Sequence, residues 1–150
     1  HCFTVGLKPV KDDHLQLMKV GRDVTIAAAR EAVVGNRVGD IGAVFQEGLV
    51  PFGYNTLKQF TGHGLGRSLH DDPLIPTVGK RGKGAKLKDG MVLTVEAQIG
   101  TGSSMHTTDS DGWTSRFDDG KPGVMFEYMV VVRPGEPLFL TDNFDWELVQ

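Results

Sequence analysis

Two glutamates occupy the middle of the two most strand-like segments of the chain. In Val92-Leu93-Thr94-Val95-Glu96-Ala97-Gln98-Ile99, strand alternation sends Leu93, Val95, Ala97 and Ile99 to one face. Thr94, Glu96 and Gln98 go to the other. Glu127 interrupts Val124-Met125-Phe126-Glu127-Tyr128-Met129-Val130-Val131-Val132, an apolar run of the kind found in buried strands. A buried carboxylate without a partner costs on the order of several kcal/mol, so each should face an arginine, a lysine, a proton or a metal ion. For one glutamate the ordinary reading is an edge strand facing water; two, each mid-strand, point to a shared site. His63 lies between Gly62 and Gly64, whose missing side chains let a backbone and a ligand approach closely. His70 follows seven residues later, ahead of Asp71-Asp72-Pro73. His1, His14 and His106 read as structural or exposed. One imidazole with two carboxylates suits a hard or borderline divalent ion such as Mn, Fe, Co or Zn.

The elements that must hold these groups can be read from periodicity. Residues 1–6 read as the end of a strand that stops at Gly6. Asp12 and Asp13 offer an N-cap and first-turn negative charge. Leu17, Val20, Val24, Ala27 and Ala28 recur at helical spacing, up to a stop near Gly35-Asn36. Gly39-Asp40 opens a second helix with Ile41, Val44, Phe45, Leu49 and Phe52 on one side, closed by Gly53-Tyr54-Asn55. Leu57 to Thr61 is a short strand candidate, followed by the glycine-rich 62–66. Residues 79–90 read as an exposed, basic loop. Asp111-Gly112 and Asp119-Gly120 mark turns between the two long strands. Two amphipathic helices in succession imply a shared sheet face, hence one α+β unit.

Composition removes several classes. The 16 Lys and Arg against 19 Asp and Glu give 150 residues a formal charge of -3, which argues against a general nucleic-acid or membrane-surface binder. The expectation is no DNA and no membrane partner, since no apolar run approaches the roughly 20 residues of a spanning helix. Cys2 alone forms no intrachain disulfide and no cysteine-based zinc site, and a reducing cytoplasm is the default. The Gly62-x-Gly64-x-Gly66 spacing departs from a dinucleotide fingerprint, and Gly84-Ala85-Lys86 departs from a phosphate-binding P-loop. The lysine-rich loop reads as a solvated turn, with contact to an anionic partner such as ribosomal RNA as the alternative. The chain opens on His1 rather than Met, so it is either processed or a piece of something longer.

Together these residues carry a resemblance. Thr61-Gly62-His63-Gly64-Leu65-Gly66-Arg67-Ser68-Leu69-His70-Asp71-Asp72-Pro73 resembles the Gly-His-Gly-Ile-Gly-Arg…His-Glu-x-Pro segment of type I methionine aminopeptidases. Asp89-Gly90-Met91-Val92-Leu93-Thr94-Val95-Glu96 is similar to their Gly-Met-Val-Phe-Thr-Ile-Glu strand. Asp111-Gly112-Trp113-Thr114 and Phe126-Glu127 follow in order, and Val38-Gly39-Asp40-Ile41-Gly42 resembles the start of the family's second helix. The resemblance runs over nearly the whole chain. It implies the pita-bread fold, a curved antiparallel sheet backed by helices and built from two related halves, with the N-terminal half lacking here. Residues 1–150 would then be a single, partial metalloaminopeptidase-like catalytic domain.

The resemblance also implies a function: removal of N-terminal methionine from nascent proteins by a site holding two divalent ions (Co, Mn, Fe or Zn). His63, Glu96 and Glu127 fall on three metal ligands, with Glu127 bridging and Glu96 also accepting a proton. His70 falls on the histidine that contacts the scissile peptide and steadies its developing charge. The implied partners are N-terminal peptides and the ribosome. The family's two aspartate ligands would precede His1. Ala97-Gln98 stands where the family has Pro-Met, and Tyr128 where a His is common. Two rival functions remain: a catalytically inactive pita-bread module that binds a protein or ribosomal partner, and a prolidase-like or amidinohydrolase enzyme of the same fold. Half of a two-half sheet would leave edges and an apolar face uncovered, so self-association of the chain is expected, although the family is monomeric.

Overall fold

The computed structural model describes residues 1–141 and 143–150. Its centre is the antiparallel pair β4 (Val92–Gly100) and β7 (Gly123–Val131), matched residue for residue from Val92↔Val131 to Gly100↔Gly123. The alternation read from sequence holds on β4, and β7, read as a continuous apolar run, alternates in burial as well. Leu93, Val95, Ala97 and Ile99 are fully buried, as are Phe126, Tyr128 and Val130, while the residues between them are mostly half-buried on the opposite face.

Two helices cover the apolar face. In α1 (Asp12–Arg30) the buried stripe is Leu17, Met18, Gly21, Val24, Thr25, Ala28 and Ala29. Ala27, expected on that stripe, is exposed. At Gly21 a Cβ would sit 2.8 Å from a Val124 methyl, so a glycine lets α1 settle directly on β7. Neither aspartate caps α1: its N-cap is Lys11, which makes no side-chain bond, and Asp12 and Asp13 lie in the first turn. There they meet the positive end of the helix dipole. The second helix, α2 (Val38–Leu49), buries Ile41, Phe45 and Leu49. Its end tightens into a 3-10 turn at Val50–Phe52. That turn rotates Phe52 outwards, where its ring stacks on Tyr54.

The sheet runs β3 (Asp71–Ile75), β2 (Gly62–Leu65), β4, β7, β8 (Leu138–Phe139), with β1 (Asn55–Thr56) also paired to β4. Two expectations are corrected here. The Leu57–Thr61 stretch is a connection, and the glycine-rich segment after it is the strand. The reason is steric, because a Cβ on Gly62 would run into the Thr94 carbonyl and one on Gly64 into that of Asp72. Residues 1–6 form isolated bridges, Phe3↔Phe126 and Gly6↔Val149, rather than a continuous strand. Among the described residues, no helix is long and apolar enough to cross a membrane.

Between β4 and β7 the chain forms a small hairpin, β5 (His106–Thr108) and β6 (Ser115–Phe117). Its turn is organised by Asp111, which accepts bonds from the Thr114 hydroxyl and the backbone N–H groups of Trp113 and Thr114. These bonds, the hydroxyl's first, hold the Asp111 carboxyl down at about 2. A depressed folded-state pKa stabilises the turn above the unfolded value of about 4 and is lost as pH falls from there through about 2. The amide resonances of Trp113 and Thr114 should therefore lose their dispersion in that window and not above pH 5. In Asp111→Asn the change with pH should vanish.

Candidate functional site

The one-to-one register of β4 and β7 places Glu96 directly opposite Glu127, both on the face away from the helices. Like charges directly opposite on a sheet repel. Burial, then the charge of Glu127, push the Glu96 carboxyl above its ordinary range, with His63 pulling the other way. The backbone nitrogen of His1 lies 3.1 Å from Glu127 Oε2. The first residues are held there by the strand itself: Glu127 N–H donates to the Cys2 carbonyl (2.9 Å). Thr4 Oγ1 donates to the Met125 carbonyl (2.7 Å) and accepts from its N–H (2.9 Å). Cys2 thus sits beside the carboxylates, its thiol pushed up by burial and then by Glu127.

His63 is positioned from β2, which pairs with β4 at Gly64↔Leu93 and Leu65↔Val92. Its backbone N–H donates to Thr94 Oγ1 (3.0 Å), and the side chain is buried. Ring Nδ1 is 2.9 Å from the Gly64 carbonyl. A carbonyl only accepts, so this bond assigns the proton to Nδ1 and leaves Nε2 a lone pair, the arrangement metal-binding histidines commonly use. His70 lies on the exposed link between β2 and β3, with its ring centroid 4.3 Å from that of His63.

The structure therefore gathers the four sequence-selected residues as two pairs, Glu96 with Glu127 and His63 with His70. Among the described residues, no group of three or more His, Cys, Asp or Glu side chains converges tightly enough to hold an ion. The donor chemistry fits a divalent cation: a cross-strand carboxylate pair with Glu96 shifted by burial and then by Glu127, and an imidazole with Nε2 free. His1 and His106 pack instead against Trp146 and Phe60, at 6.0 and 4.9 Å.

Thr94, Cys2, Thr4 and Met125 escaped the sequence reading. Thr94 was visible as a face-mate of Glu96, but its bond to His63 required knowing that β2 is a strand. Cys2 and Thr4 act across more than 120 residues of sequence, and no local pattern reports that. Gln98 and Met125, each two residues along its strand from a carboxylate, line a cavity of about 820 Å³ with Phe60 and Trp113 also on its wall, while His63, His70, Glu96 and Glu127 do not line it. Gln98 Oε1 has no hydrogen-bond partner among the described residues. Of the departures noted above, only Gln98 looks into this cavity. Ala97 and Tyr128 are buried on the helix side, and burial pushes the Tyr128 hydroxyl up to about 12.

Known proteins resemble this chain in sequence and in fold. Residues 1–134 match the model of metallopeptidase family M24. Methionine aminopeptidase of Clostridium acetobutylicum is 34% identical over 138 residues, covering 92% of this chain and 55% of the relative. The crystal structure of methionine aminopeptidase from Thermotoga maritima superposes with a TM-score of 0.85 at 32% identity, covering 89% of this chain and 54% of that one. X-Pro aminopeptidase from Thermotoga maritima shares the fold at a TM-score of 0.68 and 20% identity. The chain thus spans about half the length of the relatives it matches. A family match over most of the chain, together with the antiparallel sheet backed by two helices, makes the fold pita-bread and this chain a member of metallopeptidase family M24.

Proposed function

We propose that this chain supplies part of the active site of a metal-dependent aminopeptidase that removes N-terminal methionine from new proteins, and that residues 1–150 act as one partial catalytic domain. The observation that carries the reading is the cross-strand pair Glu96–Glu127, held half-buried in the two central strands. Glu96 and Glu127 would hold the metal, with His63 Nε2 as the nitrogen donor; Co, Mn, Fe and Zn all suit this set. When bound, a divalent ion polarises the scissile carbonyl and lowers the pKa of water. Glu96 takes up the proton released at its Oε atoms. His70, exposed and packed edge-on against His63, donates towards the carbonyl oxygen of the substrate. The 820 Å³ cavity receives the residue that follows the cleaved bond. The methionine aminopeptidase relatives support this substrate over the prolidase-like and amidinohydrolase alternatives, since the X-Pro enzyme is the more distant.

The test is hydrolysis of a peptide panel by the protein loaded with each metal in turn. Release of methionine from Met-Ala-Ser, with little turnover of Ala-Pro peptides, is the expected result. Preference for the proline peptides would move the assignment to the prolidase-like branch. A second reading, a partner-binding module without turnover, is favoured by the lack of any three-donor group among the described residues. It predicts no release with any of the four metals.

A further inference from the structure

The wall of the 820 Å³ cavity is basic, although the chain as a whole carries a formal charge of -3. His14 of α1, Arg116 of β6 and Lys121 of the β6–β7 connection reach it, and among the described residues no aspartate or glutamate does. The floor beside them is apolar and closely packed. Phe117 is buried, and a Cβ on either Gly100 or Gly123 would run into its ring. The ring thereby seats β6 directly on the facing ends of β4 and β7, and so fixes where the neighbouring cations stand.

Both cations are held in place with bonding capacity to spare. Arg116 Nε donates to Asp109 Oδ2 (2.8 Å) across the hairpin, and among the described residues its two terminal nitrogens make no hydrogen bond. A planar guanidinium with both terminal nitrogens open suits a carboxylate bound two-handed. Lys121 Nζ stands 3.7 Å from Asp119 Oδ2, too far for a hydrogen bond. That aspartate instead accepts the backbone N–H groups of Ser103 (2.9 Å) and Lys121 (3.1 Å). Deeper in the wall, Gln98 Nε2 donates to Met125 Sδ (3.5 Å), while its Oε1 is buried without a donor among the described residues. A buried acceptor of this kind is satisfied by a peptide N–H.

These groups lie in order along β4, starting from the carboxylate pair. At a strand rise of about 3.3 Å per residue, Gln98 is roughly 7 Å from Glu96, and Gly100, under the Phe117 ring, is roughly 13 Å from it. An extended peptide covers about 3.3–3.6 Å per residue. A substrate running along β4 therefore passes Gln98 about two residues beyond the cleaved bond and Gly100 about four beyond it. We propose that the cavity recognises a carboxylate on the substrate peptide, carried within about four residues after the cleaved bond, with Arg116 and Lys121 as its receptors and Gln98 accepting a backbone N–H on the way. The carboxylate is either an acidic side chain or the terminal carboxylate of a short peptide. The inference rests on the aminopeptidase reading for what the peptide is, but the binding it predicts needs no metal.

The experiment titrates the 150-residue chain, in chelator and at low salt, with peptides followed by amide and indole NMR shifts. The peptides are the amide of Met-Ala-Ser-Ser-Ser, its variants with Glu at the third, fourth or fifth position, and Met-Ala-Ser as free acid and as amide. The best Glu peptide should bind about 5–10-fold more tightly than the all-Ser peptide, as two exposed ion pairs allow, and should shift the indole of Trp113. In Arg116→Gln/Lys121→Gln the two affinities should converge, while Arg116→Lys should keep most of the difference. Lys88→Gln, off the cavity, should leave it unchanged, and circular dichroism of each variant checks that the fold is kept. The difference should fade at high salt, as contacts between exposed charges do. A gain with the Glu peptides assigns the acidic side chain as the source, and a gain only for Met-Ala-Ser over its amide assigns the terminal carboxylate. Equal binding of all these peptides, a preference that survives the double substitution, or no binding of any of them would overturn the proposal. Failure of the aminopeptidase reading is a separate result: no methionine released with any metal, while the carboxylate preference persists.

Discussion

Gly62→Ala should destabilise the fold by about 3 kcal/mol or more, the upper end for forcing atoms into a packed site, and lower the melting midpoint by about 6–12 °C. The added methyl meets the backbone carbonyl of Thr94, which has no rotamer by which to move aside. Relief comes only by parting β2 from β4, and that separates His63 from Thr94 Oγ1. The variant should therefore lose the fixed environment of the His63 ring along with stability. Gly53→Ala is the control. Gly53 departs from ordinary backbone, at φ 69°, but nothing lies near its missing Cβ, so only the left-handed conformation is penalised, at about 1–2 kcal/mol. Thermal melts of the two variants side by side decide it; equal losses would show that the β2–β4 spacing is not limiting.

For Glu96→Gln the expected effects on turnover and on stability have opposite signs. Turnover in the metal-loaded enzyme should fall about 10²–10⁴-fold, the contribution of a placed proton acceptor, with metal affinity reduced alongside. Stability of the metal-free chain at neutral pH should rise. Burial and Glu127 raise the folded pKa of Glu96, so its charged form opposes folding. Such a group makes the native state more stable as pH falls through its folded pKa towards the unfolded value of about 4.3. Wild type in chelator should show that gain on mild acidification, and Glu96→Gln should not. Denaturant melts at pH 7 and pH 4.5 read it directly; a variant that is less stable at pH 7 would mean that the pair is held together by something other than repulsion relieved by a cation.

How far the sequence reaches is clearest at β4. Its alternation gave the buried face and the site face, because Leu93, Val95, Ala97 and Ile99 alternate with Thr94, Glu96 and Gln98 and leave no competing period. The facing of Glu96 and Glu127 was suspected from their kind of position but not fixed by it. Register depends on the length and turn of the intervening hairpin, and a slip of one residue would send one glutamate into the core. The β2 strand was hidden for a different reason. Glycine has low strand propensity, yet Gly62 and Gly64 are in the sheet because two carbonyls crowd them from neighbouring strands. Local preference there yields to a tertiary contact. Ala27 and Phe52 failed at the ends of helical stripes, where a small rotation of the backbone changes the exposed side.

The bonds that bring Cys2 and Thr4 to Met125 and Glu127 also set a timetable. Thr4 and Met125 are 121 residues apart, so in a chain made from its N-terminus this contact has no partner until nearly all of the sequence exists. At about 5–20 residues per second, synthesis of that interval takes about 6–24 s. Closure of so long a loop is entropically among the last events of folding. The helices and the β2–β4 pairing can form earlier from more local sequence, while the carboxylates meet each other and the first residues only when β7 arrives. The pairing of the two carboxylates is thereby tied to the arrival of β7, and a chain that stops before Gly123 would have its histidines in place and no paired carboxylates.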